Sequence, residues 1–165
     1  MKLFETDRLL VRKFFAGDTD NFFLINSNAD VMHFIRPVKN KKECDDFLLE
    51  NINMYRDNSI AGRYAVIEKA TGIFVGSFSF LYLSDDVNYH IGYALLPDFW
   101  GKGFAQELVK YGIAFFFSST DKQELFAITD QENMASQNVV LKNGFYAKGV
   151  TMEHDKQLDL FCINR

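Results

Sequence analysis

The sequence has few of the residues and segments that mark specialised classes of protein. Its two cysteines, Cys44 and Cys162, are far apart and lack the paired spacing of a metal site. We therefore expect two buried, reduced thiols in a cytoplasmic protein that holds no metal. Basic residues are outnumbered by acidic ones, 18 against 22, so no cationic tract predicts nucleic-acid binding.

Long apolar runs are missing as well. The longest, residues 111–117, is far too short to cross a bilayer, and no membrane partner is expected. Acidic residues occupy positions 5 and 7, where a signal peptide would have its apolar segment. Phenylalanine is abundant, with 18 residues, which indicates an aromatic core. No repeat or linker divides the 165 residues, which favours one domain over residues 1–165.

Hydrophobic periodicity predicts helices and strands in a mixed order. Asp18 suits the N-cap of a first helix, and further helices are predicted over residues 29–35, 41–58, 103–118 and 133–142. Alternation predicts strands over residues 8–14, 63–69, 74–83, 87–96, 124–129, 146–150 and 157–163. We therefore predict an α/β (α+β) fold, with a mixed, mostly antiparallel, twisted sheet of about seven strands and helices on both faces.

The most informative stretch is a glycine-rich turn that leads from an apolar strand into a helix. Residues 94–105 read ALLPDFWGKGFA. The first turn of a helix has N–H groups without internal partners, and the peptide dipoles place about half a positive charge there. Gly101 and Gly103 let a pyrophosphate approach those groups without a Cβ in the way, and Lys102 adds a charge. The spacing fits neither a P-loop nor a dinucleotide fingerprint, and a turn without a ligand is the alternative.

Residues 91–108, IGYALLPDFWGKGFAQEL, resemble the acetyl-CoA-binding motif of the GNAT superfamily of N-acetyltransferases. They are most similar to the branch that acetylates alanine or serine N-termini of ribosomal proteins. That family's turn is Gln/Arg-x-x-Gly-x-Gly/Ala, and Trp100 departs from it. Residues 5–12 are similar to the first strand of that branch. Residues 133–145, which end in the usual Gly-Phe, are similar to its second motif, and the motifs occur in the same order. The resemblance covers most of the chain and implies acetyl-CoA as co-substrate.

The resemblance also implies the positions that hold the co-substrate. The turn is expected to bind the pyrophosphate, and the strand before it to pair its backbone with the pantetheine arm. The amide of Asn133 is expected to bond to pantetheine, although an N-cap role alone also explains this residue. The residues concerned are Tyr93, Ala94, Leu95, Trp100, Gly101, Lys102, Gly103, Phe104, Ala105 and Asn133.

Two catalytic residues are predicted. In many family members a tyrosine protonates the departing CoA thiolate, and that position here is Val140. The ribosomal branch has a serine like Ser136, which we expect to donate a hydrogen bond or a proton to the thiolate. His90 is the candidate base, because strand alternation places it on one face with the small residues Gly92 and Ala94.

Other groups compete for these roles. Glu68, Glu153 and His154 are rival bases. The negative charge on the acetyl oxygen also needs a donor, and a strand N–H near Leu95 is expected to supply it where neighbouring strands splay apart.

These features predict transfer of an acetyl group from acetyl-CoA to a primary amine. No cysteine, Ser-His-Asp set or metal cluster indicates a covalent intermediate, so direct attack in a ternary complex is expected. The acceptor is expected to be a protein N-terminus or a small amine, and a homodimer is left open. The alternatives are a non-catalytic acyl-CoA-binding or sensing module, favoured by the missing tyrosine, and a structural protein with a vestigial fold.

Overall fold

The computed structural model describes residues 1–57 and 59–165. Within them the strands are β1 (Lys2–Glu5), β2 (Leu9–Lys13), β3 (Gly62–Glu68), β4 (Phe74–Tyr82), β5 (Tyr89–Leu95), β6 (Glu124–Thr129), β7 (Tyr146–Glu153) and β8 (Lys156–Asn164). The helices are α1 (Thr19–Asn26), α2 (Ala29–Met32), α3 (Lys41–Met54), α4 (Phe104–Ser119) and α5 (Met134–Lys142), and short 3-10 turns cover Ala16–Asp18, Tyr55–Asp57 and Pro97–Phe99.

All the strands belong to one sheet, in the order β1-β2-β3-β4-β5-β6-β8-β7. Every neighbouring pair is antiparallel except β5 and β6, which are parallel. The predicted fold class is therefore confirmed, with eight described strands rather than about seven. The additional strand is β1, whose four residues are too few for alternation to identify. It is held by pairing with β2 and by Phe4, whose ring packs 5.2 Å from that of Phe78.

Two apolar cores lie on opposite faces of the sheet, as the prediction of helices on both faces requires. Ala65 packs with the buried residues of α1, α2 and α3, whereas its neighbours Tyr64 and Val66 pack with those of α4. Successive strand residues point to opposite faces, so the two sets of helices cover different sides. The many phenylalanines fill both cores, and Phe78 and Phe80 are fully buried.

Two predicted helices end earlier than expected. The segment predicted over residues 29–35 is helical only to Met32, and Pro37 lies shortly beyond it. The helix predicted over residues 41–58 ends at Met54 and continues as the 3-10 turn Tyr55–Asp57, while Asn58 lies outside the described residues.

Asp18 stands at the N-cap of α1, but its side chain does not cap that helix. Its carboxylate oxygens instead accept hydrogen bonds from the two terminal nitrogens of Arg12, at 2.7 and 2.8 Å. Burial opposes the charge on Asp18, yet the bonds from Arg12 and from the N–H of Phe15 lower its pKa below the ordinary value.

Cys44 and Cys162 are both buried free thiols. Among the described residues, none of the helices combines the length and apolar character that a bilayer crossing needs.

Candidate active site

The one parallel pair of strands separates partway along its length. β5 and β6 pair only at His90 with Phe126 and at Ile91 with Ala127, although β5 continues to Leu95 and β6 to Thr129. A cleft of about 940 Å³ occupies the resulting gap and extends to both faces of the sheet. This separation of β5 from β6 is the one that the expected N–H donor near Leu95 requires. The volume is in the range of small-molecule and cofactor sites.

The edge of β5 presents free backbone groups to this gap. The N–H of Leu96 donates to the carbonyl of Val75 on β4, so alternate residues of β5, including Ala94, turn their backbone groups toward β4. Tyr93 and Leu95 consequently turn theirs toward the gap. The carbonyl of Leu95 accepts a hydrogen bond from the indole Nε1 of Trp100 at 2.7 Å, which leaves its N–H facing the gap.

The turn between β5 and α4 has the geometry expected of an anion site. Gly101 and Gly103 adopt left-handed conformations, with φ of 69° and 79°, which residues with a Cβ rarely adopt. Gly103 is the N-cap of α4 and provides no side-chain cap, so the first N–H groups of the helix are free for a ligand.

The residues of this turn have different environments. Trp100, Gly101, Gly103 and Ala105 line the cleft, and the ring of Phe104 also borders it while packing in the core. Lys102 does not line the cleft; its ammonium lies 5.1 Å from the centroid of the Phe99 ring.

Arg8 and Glu107 brace the turn, and sequence reasoning assigned neither of them a role. Arg8 donates to the carbonyl of Lys102 at 2.9 Å and to Glu107 at 2.6 Å, and its guanidinium lies 4.5 Å from the centroid of the Phe104 ring. Glu107 also accepts hydrogen bonds from Thr6 and from the N–H of Arg8. Burial opposes the charge on Glu107, but these bonds lower its pKa below the ordinary value.

We expect Glu107→Gln to lower the melting temperature in a pH-dependent way. A lowered pKa means that the carboxylate stabilises the fold above its unfolded pKa of about 4.3, and that this stabilisation is lost as pH falls through the folded value. The difference between parent and variant should thus be largest near neutral pH and disappear in acid. Glu124→Gln is the control, since its ion pair with Lys148 is exposed and such pairs contribute little. An equal, pH-independent loss in both variants would contradict the prediction.

Asn133 and Ser136 lie at the start of α5, across the gap from β5. The side-chain oxygen of Asn133 accepts from the N–H of Ser136 at 3.2 Å, so Asn133 is an N-cap, and its amide nitrogen is free to donate elsewhere. The hydroxyl of Tyr93 lies 3.5 Å from that of Ser136. Burial raises the pKa of Tyr93, which keeps this hydroxyl protonated and able to donate. The sequence placed Tyr93 on the strand but did not indicate the pairing of its side chain with Ser136.

His90 lies in the same cleft, at the point where β5 and β6 separate. Burial lowers its pKa to about 4, an effect that the charge of Glu153 opposes. The imidazole is therefore neutral at physiological pH and can accept a proton. Glu153 lies outside the cleft, and its carboxylate accepts hydrogen bonds from the N–H of Ser84 at 3.0 Å and from the hydroxyl of Ser84. Glu68 and His154 also lie outside the cleft.

Three buried polar side-chain atoms in the described part of the chain have no hydrogen-bond partner: Nε of Arg36, Nδ1 of His90 and Oγ1 of Thr129. All three residues line this one cleft. Buried polar groups in proteins are almost always paired, so their concentration here indicates a place where a ligand supplies the partners. Sequence reasoning missed Arg36 and Thr129, since nothing in their local sequence distinguishes them.

The chain resembles known acetyltransferases over nearly its whole length. A family model described as the acetyltransferase (GNAT) domain matches residues 8–146. The uncharacterised N-acetyltransferase YoaA of Bacillus subtilis is 24% identical over 155 residues, which cover 92% of this chain and 87% of YoaA.

Solved structures share the fold at low identity. RimL, a ribosomal L7/L12 α-N-protein acetyltransferase in complex with coenzyme A, has a TM-score of 0.83 and 15% identity, and covers 99% of this chain and 98% of its own. Spermidine N-acetyltransferase from Vibrio cholerae, in complex with CoA and spermine, has a TM-score of 0.78 and 16% identity, with 95% of each chain covered.

The fold is thus that of an acetyltransferase. The chain belongs to the GNAT family of acetyltransferases, whose reaction is acetyl transfer to an amine. The resemblance that residues 91–108 indicated is confirmed.

Proposed function

We propose that this protein transfers the acetyl group of acetyl-CoA directly to a primary amine while both substrates are bound. The observation that carries the proposal is the continuous cleft, which extends from the free N-terminus of α4 through the gap between β5 and β6 to His90. Such a cleft lets a thioester enter from one face of the sheet and an amine from the other. We further propose that residues 1–165 act as one N-acetyltransferase domain, because a single sheet includes strands from both ends of the chain.

The part of the cleft beside the N-terminus of α4 suits acetyl-CoA. The first turn of α4 and the bare backbone of Gly101 and Gly103 would bind the pyrophosphate, with Arg8 holding the turn in shape. The backbone of Tyr93 and the amide of Asn133 lie on opposite sides of the gap, where the pantetheine arm would run.

The catalytic half suits attack on the thioester carbonyl. The amine nitrogen forms a bond to the carbonyl carbon and gives a proton to His90, while the N–H of Leu95 donates to the carbonyl oxygen as negative charge develops there. The carbon–sulfur bond then breaks, and the sulfur leaves with its electron pair. The hydroxyls of Ser136 and Tyr93, which lie 3.5 Å apart in the cleft, would donate to that thiolate.

We expect His90→Gln to lower kcat/KM about 100-fold, because a base in place contributes roughly that factor. Since the pKa of His90 is lowered to about 4, the parent should show no inflection near the ordinary histidine value of about 6.5. Base function would be lost only as pH falls through about 4. The measurement is kcat/KM against pH for the parent and both variants, with His154→Asn as the control that removes the exposed histidine outside the cleft. If His90→Gln reproduces the parental profile and magnitude, His90 is not the base.

Release of the CoA thiol in the presence of an amine panel tests the function as a whole. The panel contains peptides with a free N-terminus, amino acids and polyamines, since the neighbours named above act on a ribosomal protein and on spermidine. Calorimetry with acetyl-CoA is run beside it. Binding of acetyl-CoA with acetylated product for at least one amine supports the proposal, whereas tight binding with no release on any amine would favour a CoA-sensing module.

A further inference from the structure

Two arginines come together in the part of the cleft that lies beyond His90. Arg36 follows α2 and Arg63 belongs to β3, and both line the cleft with Ser77 and Ser79 of β4. The guanidinium carbons of the two arginines lie 5.1 and 4.5 Å from the centroid of the Phe47 ring. Two positive charges therefore share one partly buried aromatic surface.

Neither arginine has a counter-ion in the described part of the chain. Among residues 1–57 and 59–165 no carboxylate forms an ion pair with either of them. Arg36 donates from one terminal nitrogen to Asn26 at 2.8 Å, and its buried Nε has no partner. The hydrogen bonds of Arg63 to described residues all involve its backbone. Buried charges are normally paired, so this arrangement is costly unless a bound anion completes it.

The electrostatic environment of the pair agrees with its geometry. Burial, and to a smaller extent the charge of Arg36, lower the pKa of Arg63 to about 10, against smaller opposing effects of Tyr55 and Glu50. Burial also lowers the pKa of Arg36. Each cation is thus held in surroundings that disfavour its charge, and an anion between them would relieve both.

The pair is close to the reacting atoms. Arg63 is opposite Ser79 in the sheet, and Ser79 is opposite Gly92 on β5, so these residues form a row on the face that carries His90. Two strand spacings amount to about 10 Å between the backbones of Arg63 and Gly92, a distance that the long arginine side chain shortens. A group bound by the arginines is therefore only a few bonds away from an amine at His90.

We propose that the acceptor is an amine carrying an oxyanion, such as a carboxylate, near its nitrogen, and that Arg36 and Arg63 bind that oxyanion. This inference rests on the proposed acetyl transfer. Guanidinium groups match the planar geometry of a carboxylate with paired N–H donors, and Ser77 and Ser79 add hydroxyl donors beside them. The same charges repel a polyamine. Two sources share the chemistry: the α-carboxylate of a free amino acid, and an acidic side chain at the start of a peptide.

The test compares acceptors that differ only in charge. Amino carboxylates of several lengths are each measured against the matching carboxamide and the diamine of equal length, and peptides beginning with an acidic residue against their amide counterparts. The parent enzyme should prefer the anionic member about 30- to 100-fold in kcat/KM, which lies within the range expected for hydrogen bonds to a charged group. Whichever of the two anionic acceptors, the amino acid or the acidic peptide, has the higher kcat/KM identifies the source of the oxyanion. Equal or better turnover of the carboxamides or diamines overturns the proposal.

Variants then test whether the preference for anionic acceptors depends on the side chains of Arg36 and Arg63. Arg63→Met and Arg36→Met should each lose most of the preference for the anion, mainly through a higher KM for the carboxylate acceptors, and affinity for acetyl-CoA reports that the fold is intact. Lys39→Met is the matched control, because its ammonium lies 5.0 Å from the same Phe47 ring but outside the cleft. A preference that Lys39→Met alters as much as Arg63→Met does would contradict a specific site.

A binding measurement separates this inference from the proposed reaction. N-acetylated amino carboxylates and their carboxamides are titrated into the CoA-bound parent and the CoA-bound Arg63→Met variant, with no turnover required. Binding of the carboxylate that the variant loses supports the oxyanion site even if no amine releases thiol. Equal binding of carboxylate and carboxamide would overturn it whatever the activity.

Discussion

Replacing Ser136 by alanine is expected to lower kcat about 100-fold and to change the KM for acetyl-CoA by less than about three-fold. The leaving thiolate develops its negative charge only as the carbon–sulfur bond breaks, so a donor at that position acts in the transition state and not in substrate binding. Ser136 lines the cleft at the start of α5, with the Tyr93 hydroxyl 3.5 Å away.

Tyr93→Phe and the double variant show how the two hydroxyls share this work. If Tyr93 donates through Ser136, the double variant should be no slower than Ser136→Ala, because the second change removes nothing more. If both donate to the sulfur, the losses should multiply. Ser118→Ala, on the exposed side of α4, is the control and should leave kcat unchanged. An unchanged kcat in Ser136→Ala itself would end the assignment of this serine to the thiolate.

Gly103→Val is expected to weaken binding of CoA at least about 30-fold, the equivalent of about 2 kcal/mol. Gly103 has a φ of 79° at the N-cap of α4, a conformation that is strained for any residue with a Cβ and most of all for a branched one. The added side chain would also stand where the pyrophosphate approaches the helix, with its Cβ 3.4 Å from a terminal nitrogen of Arg8.

Gly72→Val supplies a matched control. Gly72 has a φ of 73°, lies in the turn between β3 and β4, and has no atom within 4 Å of an added Cβ. Both variants should lose a few degrees of melting temperature through backbone strain, of the order expected for about 1–2 kcal/mol. Only Gly103→Val should lose affinity in calorimetric titration with CoA. Equal affinities for CoA in the two variants would show that the turn before α4 does not hold the pyrophosphate.

The parts of the site that the sequence predicted are those in which neighbouring residues act together. The apolar run of β5, the two glycines and the amphipathic pattern of α4 are contiguous, so local periodicity and turn chemistry identify them. The N-cap role of Asn133 was predicted for the same reason. The short strand β1 was missed because its pattern is brief and its stability comes from tertiary packing, not from alternation.

The parts that the sequence did not predict depend on contacts between distant segments. Arg8 and Glu107 are 99 positions apart, and no local pattern connects them. Arg36 lies in a loop and Arg63 in a strand, and nothing in the local sequence of either distinguishes it. The fold brings both side chains to the ring of Phe47. The separation of β5 from β6 is likewise a property of register, and it decides which backbone groups are free.

Trp100 departs from the residue usual at its position, and this departure gives the protein an optical reporter. It is the chain's single tryptophan, about half exposed, and its indole N–H is bonded to the strand carbonyl of Leu95. Tryptophan fluorescence therefore comes from one position, between the edge of β5 and the N-terminus of α4. A change in emission on adding CoA would follow occupancy of that turn without any label, and stopped-flow recording would give the order in which the two substrates arrive.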